Sequence, residues 1–364
     1  MPESKVKLGS LQVDVDPVLN AGCSFTAADF EPASQEEKAS MVVIKKRMSY
    51  WQDAWRRLRQ NTVAMVALGV IIAITIFAFI GPSFVPYTYS EQIRGSENLS
   101  PMTYSEKEIE AMAAGEEVFP HVFGTDTLGR DLLVRVMYGS RISMTVGVTA
   151  SLIVLVIGSI YGSVSGFIGG KVDDVMMRIV ELIYSIPDVL VVLLLQVVLK
   201  DPLTELFDTS TSPFIESLSG IGVGLFSIFI TFALLYWVGM SRIVRGQVLM
   251  LKKQEFVMAA QCLGASNKKI IKRHLLPNCI GQIVVTTCLQ IPSAIFLESF
   301  LSFLGLGVSA PLASLGSLAS DGLGGIYSYA YRLIIPSVVL SVMILSLNLF
   351  GDGLRDALDP RLKK

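Results

Sequence analysis

Charge and histidine are both scarce: 17% of the 364 residues are Asp, Glu, Lys or Arg, and two are histidine. Two imidazoles are too few for a dedicated His-rich metal site, and HExxH and GxSxG are both absent, which ranks enzyme readings low. No GxxxxGK[ST] segment occurs either. The only Gly-Lys pair, Gly170-Lys171, runs into Val172 without the upstream glycine of a phosphate-binding loop, so the chain is not expected to hydrolyse ATP by itself. The four cysteines, Cys23, Cys262, Cys279 and Cys288, form no CxxC pair. Cys279 and Cys288 sit nine positions apart, which on one helix puts them on opposite faces and argues against a disulfide. A net charge of −1 provides no field to draw in nucleic acid.

What is present is oil. Hydrophobic residues make up 52% of the chain and the mean hydropathy is +0.57, too apolar for a soluble globular domain and too long for a lone anchor. Six stretches approach the ~20 residues that cross hydrocarbon: 62–81, 142–166, 176–199, 221–240, 279–300 and 333–351. The first holds eleven Val, Leu, Ile or Phe from Val63 to Ile80 and no charge, and at roughly −0.3 to −0.6 kcal/mol each its insertion is favourable. It lies far from the N-terminus and is too long for a signal peptide, so an uncleaved anchor is expected. The fold class that follows is all-α: a polytopic membrane protein of six transmembrane helices.

Glu181, Asp188 and Glu298 fall in the third and fifth spans, where each costs about 2.5–3.5 kcal/mol at mid-bilayer. Pro187, Pro292 and Pro336 lie within or beside spans, which a packed bundle tolerates because neighbouring helices satisfy freed carbonyls. With an inside N-terminus, 23 of the 30 lysines and arginines fall on inner segments, so both termini are expected in the cytoplasm. The loop at 82–141 is correspondingly acidic, with Glu91, Glu97, Glu106, Glu108, Glu110, Glu116 and Glu117. Residues 1–44 are polar and aperiodic and are expected to be a disordered tail. Residues 45–61 interleave Lys45, Lys46, Arg47, Arg56 and Arg57 with Tyr50, Trp51 and Trp55, the pattern of an amphipathic helix lying against lipid. The five spans of 142–351 then form a core, followed by a cytoplasmic tail at 352–364. Neither a fixed-period repeat nor inverted halves are visible, which counts against the common secondary-transporter plan.

Within the inner loop 241–278, the segment from Gln254 to Asn278 reads as helix, glycine turn, helix. Small Ala259 and Ala260 permit close approach by a partner, Gly264 permits a reversal, and Pro277 opens the next span. This segment resembles the Glu-Ala-Ala loop of ATP-binding-cassette importer permeases, matched at Ala259, Ala260, Gly264, Leu276 and Pro277. Met258 stands where the family has Glu, and Glu255 is the nearest acid, one turn earlier. The resemblance implies a type I importer permease fold with an ATPase-coupling surface at Glu255, Met258, Ala259, Ala260, Gly264, Ala265, Ser266 and Pro277. His121 to Asp131 and Gly351 to Pro360, with Glu298 to Gly307, are similar to the dipeptide, oligopeptide and nickel branch, nearest the oligopeptide subunit with an N-terminal extension.

That resemblance further implies a homologous second permease, two cytoplasmic ATPase subunits that carry ATP and Mg²⁺, an extracytoplasmic peptide-binding protein, and a bacterial inner membrane. No cofactor or metal is expected on this chain. Nickel or another small solute stays open as cargo, and an ion-gradient transporter acting alone is the competing class. Gly124, Asp126, Gly129, Arg130 and Asp131 read as a turn whose charges lock one another or the outer mouth. Gly158, Gly162 and Gly166 recur every fourth residue, a packing face. Glu298, Gln290 and Asp188 are the candidates for a polar pathway.

Overall fold

The computed structural model describes residues 5–8, 11–14, 49–209, 215, 222–308 and 312–358. The chain divides into an N-terminal unit, Met1–Gln52, and a main unit, Asp53–Lys364. In the first, β1 (Lys5–Leu8) and β2 (Leu11–Asp14) pair antiparallel, Lys5 opposite Asp14 and Leu8 opposite Leu11. The expected disordered tail at 1–44 otherwise lies outside the described residues.

Helices build the main unit. Five are long and apolar enough to cross a membrane among the described residues: α2 (Thr62–Phe79), α4 (Leu132–Ile168), α7 (Val223–Leu251), α9 (Asn267–Phe303) and α11 (Tyr331–Leu358). A bent pair, α5 (Gly170–Ser185) with α6 (Asp188–Thr209), makes a sixth crossing if taken as one span. Shorter helices are α1 (Tyr50–Gln60), α3 (Glu106–Ala113), α8 (Glu255–Cys262) and α10 (Leu315–Leu323). The architecture is that of an all-α polytopic membrane protein.

Several helices exceed the apolar runs that announce them. At 37 residues α4 is roughly 55 Å long, well beyond the hydrocarbon thickness, and it begins ten residues before position 142. The extension carries Arg135 and Arg141, which interrupt the hydropathy signal but have partners. Arg141 donates to the carbonyls of Ala78 and Phe79, both at 3.1 Å, closing the exposed end of α2. At the other end, α11 continues past 351 to Leu358, so the expected C-terminal tail is partly helix. Gly353 there meets the Ala64 methyl, and Ala357 and Leu358 are buried beside Leu58 and Ala54 of α1. Apolar contact with α1 helps hold that last turn. Residues 359–364 lie outside the described residues.

The third expected span, 176–199, is not one helix. Its axis turns by 87° between α5 and α6. Pro187 has no N–H to continue the ladder, and its ring pushes Ile186 into extended backbone, φ −93° and ψ 137°. Pro292 and Pro336, by contrast, stay inside α9 and α11.

The core of the bundle is the seam between α4 and α7. A Cβ on Gly158 would sit 2.6 Å from that of Met240, on Gly162 2.3 Å from the Ser241 carbonyl oxygen, and on Gly166 2.9 Å from that of Arg245. Only glycine admits backbones this close, and dispersion contacts replace the hydrophobic drive that lipid cannot supply. We therefore expect Gly162→Ala to destabilise the detergent-extracted protein by about 1–3 kcal/mol through overpacking. Gly69→Ala on α2, where a Cβ meets open space, should be neutral or stabilising; heating followed by size exclusion reads both.

Candidate functional site

The elbow between α8 and α9 is built by a Schellman turn. Gly264 adopts φ +77°, its N–H bonds the Gln261 carbonyl at 2.9 Å, and the Ala265 N–H reaches back to Ala260 at 3.1 Å. A side chain at 264 would meet no neighbour, so the left-handed backbone alone demands glycine. Asn267 then starts α9, which passes through a π turn at Ile271–Leu275 and continues unbroken to Phe303. The expected loop and fifth span are thus one rod. Pro277 does not mark a break: it lies in the first turn of the regular helix after that π turn, where the missing N–H is tolerated.

The two elbow alanines part company. Ala260 is buried with Val257, Ile270 and Leu275 in the main core, whereas Ala259 faces outward. Ala260 is therefore corrected as part of an exposed partner surface, since its methyl is buried in the main apolar cluster. Glu255, Met258, Gly264 and Ser266 are exposed and Ala265 is half-buried. The residue that composition did not single out is Leu263, 88% exposed beside Met258 at 48%. Together they form an exposed apolar patch at the chain reversal, flanking the small Ala259.

A cavity of about 570 Å³ opens where three elements depart from regular helix. The α5–α6 bend contributes Tyr184, Ser185 and Pro187, the π turn of α7 contributes Leu235 and Tyr236, and α9 contributes Gln290. Irregular backbone at membrane depth is tolerated where it lines a protein cavity. Of the three pathway candidates, Gln290 lines this space. Asp188 opens α6 beside the bend, and its side chain lies outside the described residues.

Glu298 does not line it. The carboxylate is fully buried and accepts from Ser143 Oγ at 2.8 Å, Ser302 Oγ at 2.7 Å and Ser299 Oγ at 3.2 Å. Ser302 in turn accepts from the Val308 N–H at 3.0 Å. A buried carboxyl is expensive unless its lone pairs are filled, and here serines of α4 and α9 fill them. Glu298 fastens α4, α9 and the segment that follows, apart from the cavity that Gln290 lines.

At the acidic end, Gly124 and Gly129 take φ +76° and +71°, and a Cβ on either would strike the carbonyl of Leu99 or Ile93 at 2.3 and 2.2 Å. Between them Asp126 accepts from the Leu128 N–H at 2.8 Å, the Arg130 N–H at 3.0 Å, Arg130 Nε at 2.7 Å, and Arg135. Burial alone would raise its pKa, but the Arg135 guanidinium and the Arg130 and Leu128 amides hold it below the usual carboxylate range. Asp131 caps α4 through the Val134 N–H at 2.9 Å and accepts from His121 Nδ1 at 2.7 Å. His121 Nε2 meets Glu108 at 3.0 Å, and its ring stacks on Tyr87 at 4.6 Å.

Burial opposes charge on His121, yet the hydrogen bond and charge of Asp131, with those of Glu108, outweigh it and raise its pKa. Burial and the same two carboxylates push Tyr87 up to about 12. A raised histidine stabilises the fold fully below its ordinary value near 6.5 and ceases to do so as pH climbs through the raised value. Unfolding scans from pH 6 upward should therefore show stability falling across that window in the wild type, with the slope flattened in His121→Gln.

Residues 155–364 match the family described as the binding-protein-dependent transport system inner membrane component. Residues 49–101 match the N-terminal TM domain of oligopeptide transport permease C. The oligopeptide transport system permease protein OppC of Bacillus subtilis (strain 168) is 42% identical over 335 residues, 92% of this chain and 97% of that protein. The dipeptide transport system permease protein DppC of the same strain is 42% identical over 333 residues, covering 91% of this chain and 92% of the relative. DppC of Lactococcus lactis subsp. cremoris (strain MG1363) is 38% identical over 363 residues, with 94% and 98% covered. Matched over more than half its length by one profile and nearly end to end by these proteins, the chain belongs to the family of binding-protein-dependent transport system inner membrane components.

Proposed function

We propose that this chain is one permease subunit of an ATP-driven importer of short peptides and that it receives its mechanical input at the α8–α9 elbow. The observation that carries this is the elbow's construction: an exposed patch of Met258, Ala259 and Leu263 sits on a rigid glycine turn whose second arm is the start of a 37-residue helix. Force applied there enters a rod roughly 55 Å long rather than a slack loop. The oligopeptide and dipeptide transport proteins that this chain resembles favour peptides over nickel as cargo.

The partners follow from that reading. A homologous second permease completes the pathway, two ATPase subunits carrying ATP and Mg²⁺ dock on the elbow, and an extracytoplasmic binding protein delivers peptide. Lys252, Lys253, Lys268, Lys269, Lys272 and Arg273 flank the elbow, which supports a cytoplasmic position for it and for both termini by the positive-inside rule. Gln290 faces the pathway on this subunit's side. Catalysis belongs to the ATPases.

Ala259→Arg and Leu263→Asp should lower ATP-dependent peptide uptake by about tenfold or more, the range of a coupling free energy of a few kcal/mol, with membrane levels unchanged. Gly264→Val should do the same through about 1–2 kcal/mol of left-handed strain. Ala260→Arg should instead reduce the folded fraction, because it puts a charge into the core. Uptake assays in membrane vesicles separate the two classes. Normal uptake by Ala259→Arg would refute the docking site, and uptake driven by an ion gradient in the isolated chain would replace the whole reading.

A further inference from the structure

The inner end of α7 grips α5 at two places. Arg245 forks onto Asp173, Nε at 2.6 Å and Nη2 at 2.5 Å, and Ser165 at the end of α4 donates to the same carboxylate. One turn earlier Arg242 lies 4.3 Å over the ring of Tyr184, at the opposite end of α5 and beside the Pro187 bend. Between α4 and α5 the chain passes through Gly169 and Gly170, both at positive φ, +71° and +57°, and a Cβ on Gly170 would meet nothing. Two such residues in succession make a swivel.

The middle of α5 packs through Met177, Val180 and Ile183 against Tyr161 of α4 and Trp237 of α7, and Tyr161 donates to the Met176 carbonyl at 2.8 Å, whereas the guanidinium fork ties the end of α5 next to the glycine turn. The fork leads directly to the elbow: α7 ends at Leu251, and Val244 and Val248 share a core with Val257, Ala260 and Ile270. The far tip of α5 lines the 570 Å³ cavity through Tyr184, Ser185 and the bend.

We propose that the Asp173–Arg245 pair is the linkage through which the elbow moves the bent α5–α6 pair, making Arg245 a positioning residue for passage through the cavity. When the elbow shifts, the end of α7 shifts with it, and the bidentate pair carries α5 along as a rod turning on the Gly169-Gly170 swivel. Displacement at Asp173 then reaches the cavity wall some ~20 Å away along α5. A planar two-point fork suits this role because it transmits rotation as well as pull.

This rests on the importer reading, and the test keeps the two apart. The complete transporter, reconstituted in lipid vesicles, is assayed for labelled peptide taken up per ATP hydrolysed. Arg245→Gln and Asp173→Asn should assemble and hydrolyse ATP, with the uptake-to-hydrolysis ratio lowered about tenfold, and the exchange Asp173→Arg with Arg245→Asp should recover most of it. A ratio within about twofold of wild type in both single variants overturns the linkage. So does a reversed pair that fails to recover the ratio, or loss of assembly in all three variants, which would make the pair a folding contact. A wild-type assembly without ATP-driven uptake fails the importer reading beneath it.

Discussion

Hydrocarbon has no hydrogen bonds to give, and nearly every polar feature of this bundle is placed by that constraint. Glu298 has its oxygens filled by three serines before any other role is open to it. Arg141, at the edge of the apolar zone, spends its guanidinium on the orphan carbonyls of α2. Where the backbone does break, at Pro187 and at the π turn of α7, the break faces a cavity in the protein. The cavity lined by Gln290 and the polar cluster around Glu298 are separate places for this reason: the Glu298 carboxylate is filled by hydroxyls of its own bundle and does not line that space.

The same medium removes the hydrophobic effect as a glue between helices, so close packing has to replace it. The Gly158, Gly162 and Gly166 stripe joins α4 to α7, and Gly353 brings α11 onto α2. Outside the membrane the rules revert to ordinary protein chemistry. The loop at the acidic end is tied by Asp126, by the Glu108, His121 and Asp131 relay, and by Arg332, which donates to Asn98 at 2.7 Å. Charge, rather than oil, holds that end.

Helix number and the elbow were legible in the sequence because both are local. A run of apolar residues and a small-small-x-x-x-Gly pattern need no knowledge of distant contacts. Helix ends were not, because they are decided by partners: Asp131 caps α4 well before the apolar run that starts at 142, and the last turn of α11 packs on α1. Pro187 could not be told from Pro292 and Pro336, since a proline bends or breaks according to what surrounds the freed carbonyl. The surroundings of Glu298 were illegible for a related reason. An acid in a span marks function or a filled polar cluster with equal force, and Ser143, one of the serines that decide the matter, is 155 residues away. Ala260 and Ala259 are neighbours on a helix whose buried face no period of eight residues can settle.

The Asp173–Arg245 fork was invisible for the opposite reason: each residue is unremarkable alone, 72 positions from the other, and only the fold brings them to hydrogen-bond distance. Yet it lies where the physical demands of transport converge. A permease must be rigid where force enters and loose where cargo passes. In the proposed reading the elbow meets the first demand through a glycine turn fused to a continuous rod, and the α5–α6 pair meets the second through a proline break and a glycine swivel. An apolar patch around Val180 and Trp237 keeps α5 against α7, and the bidentate fork at Asp173 adds a contact with a defined direction. In the proposed linkage the Asp173–Arg245 pair is the directional part of that contact, sitting at the end of α5 next to the Gly169-Gly170 turn, where it fixes a rotation that apolar contact alone leaves free.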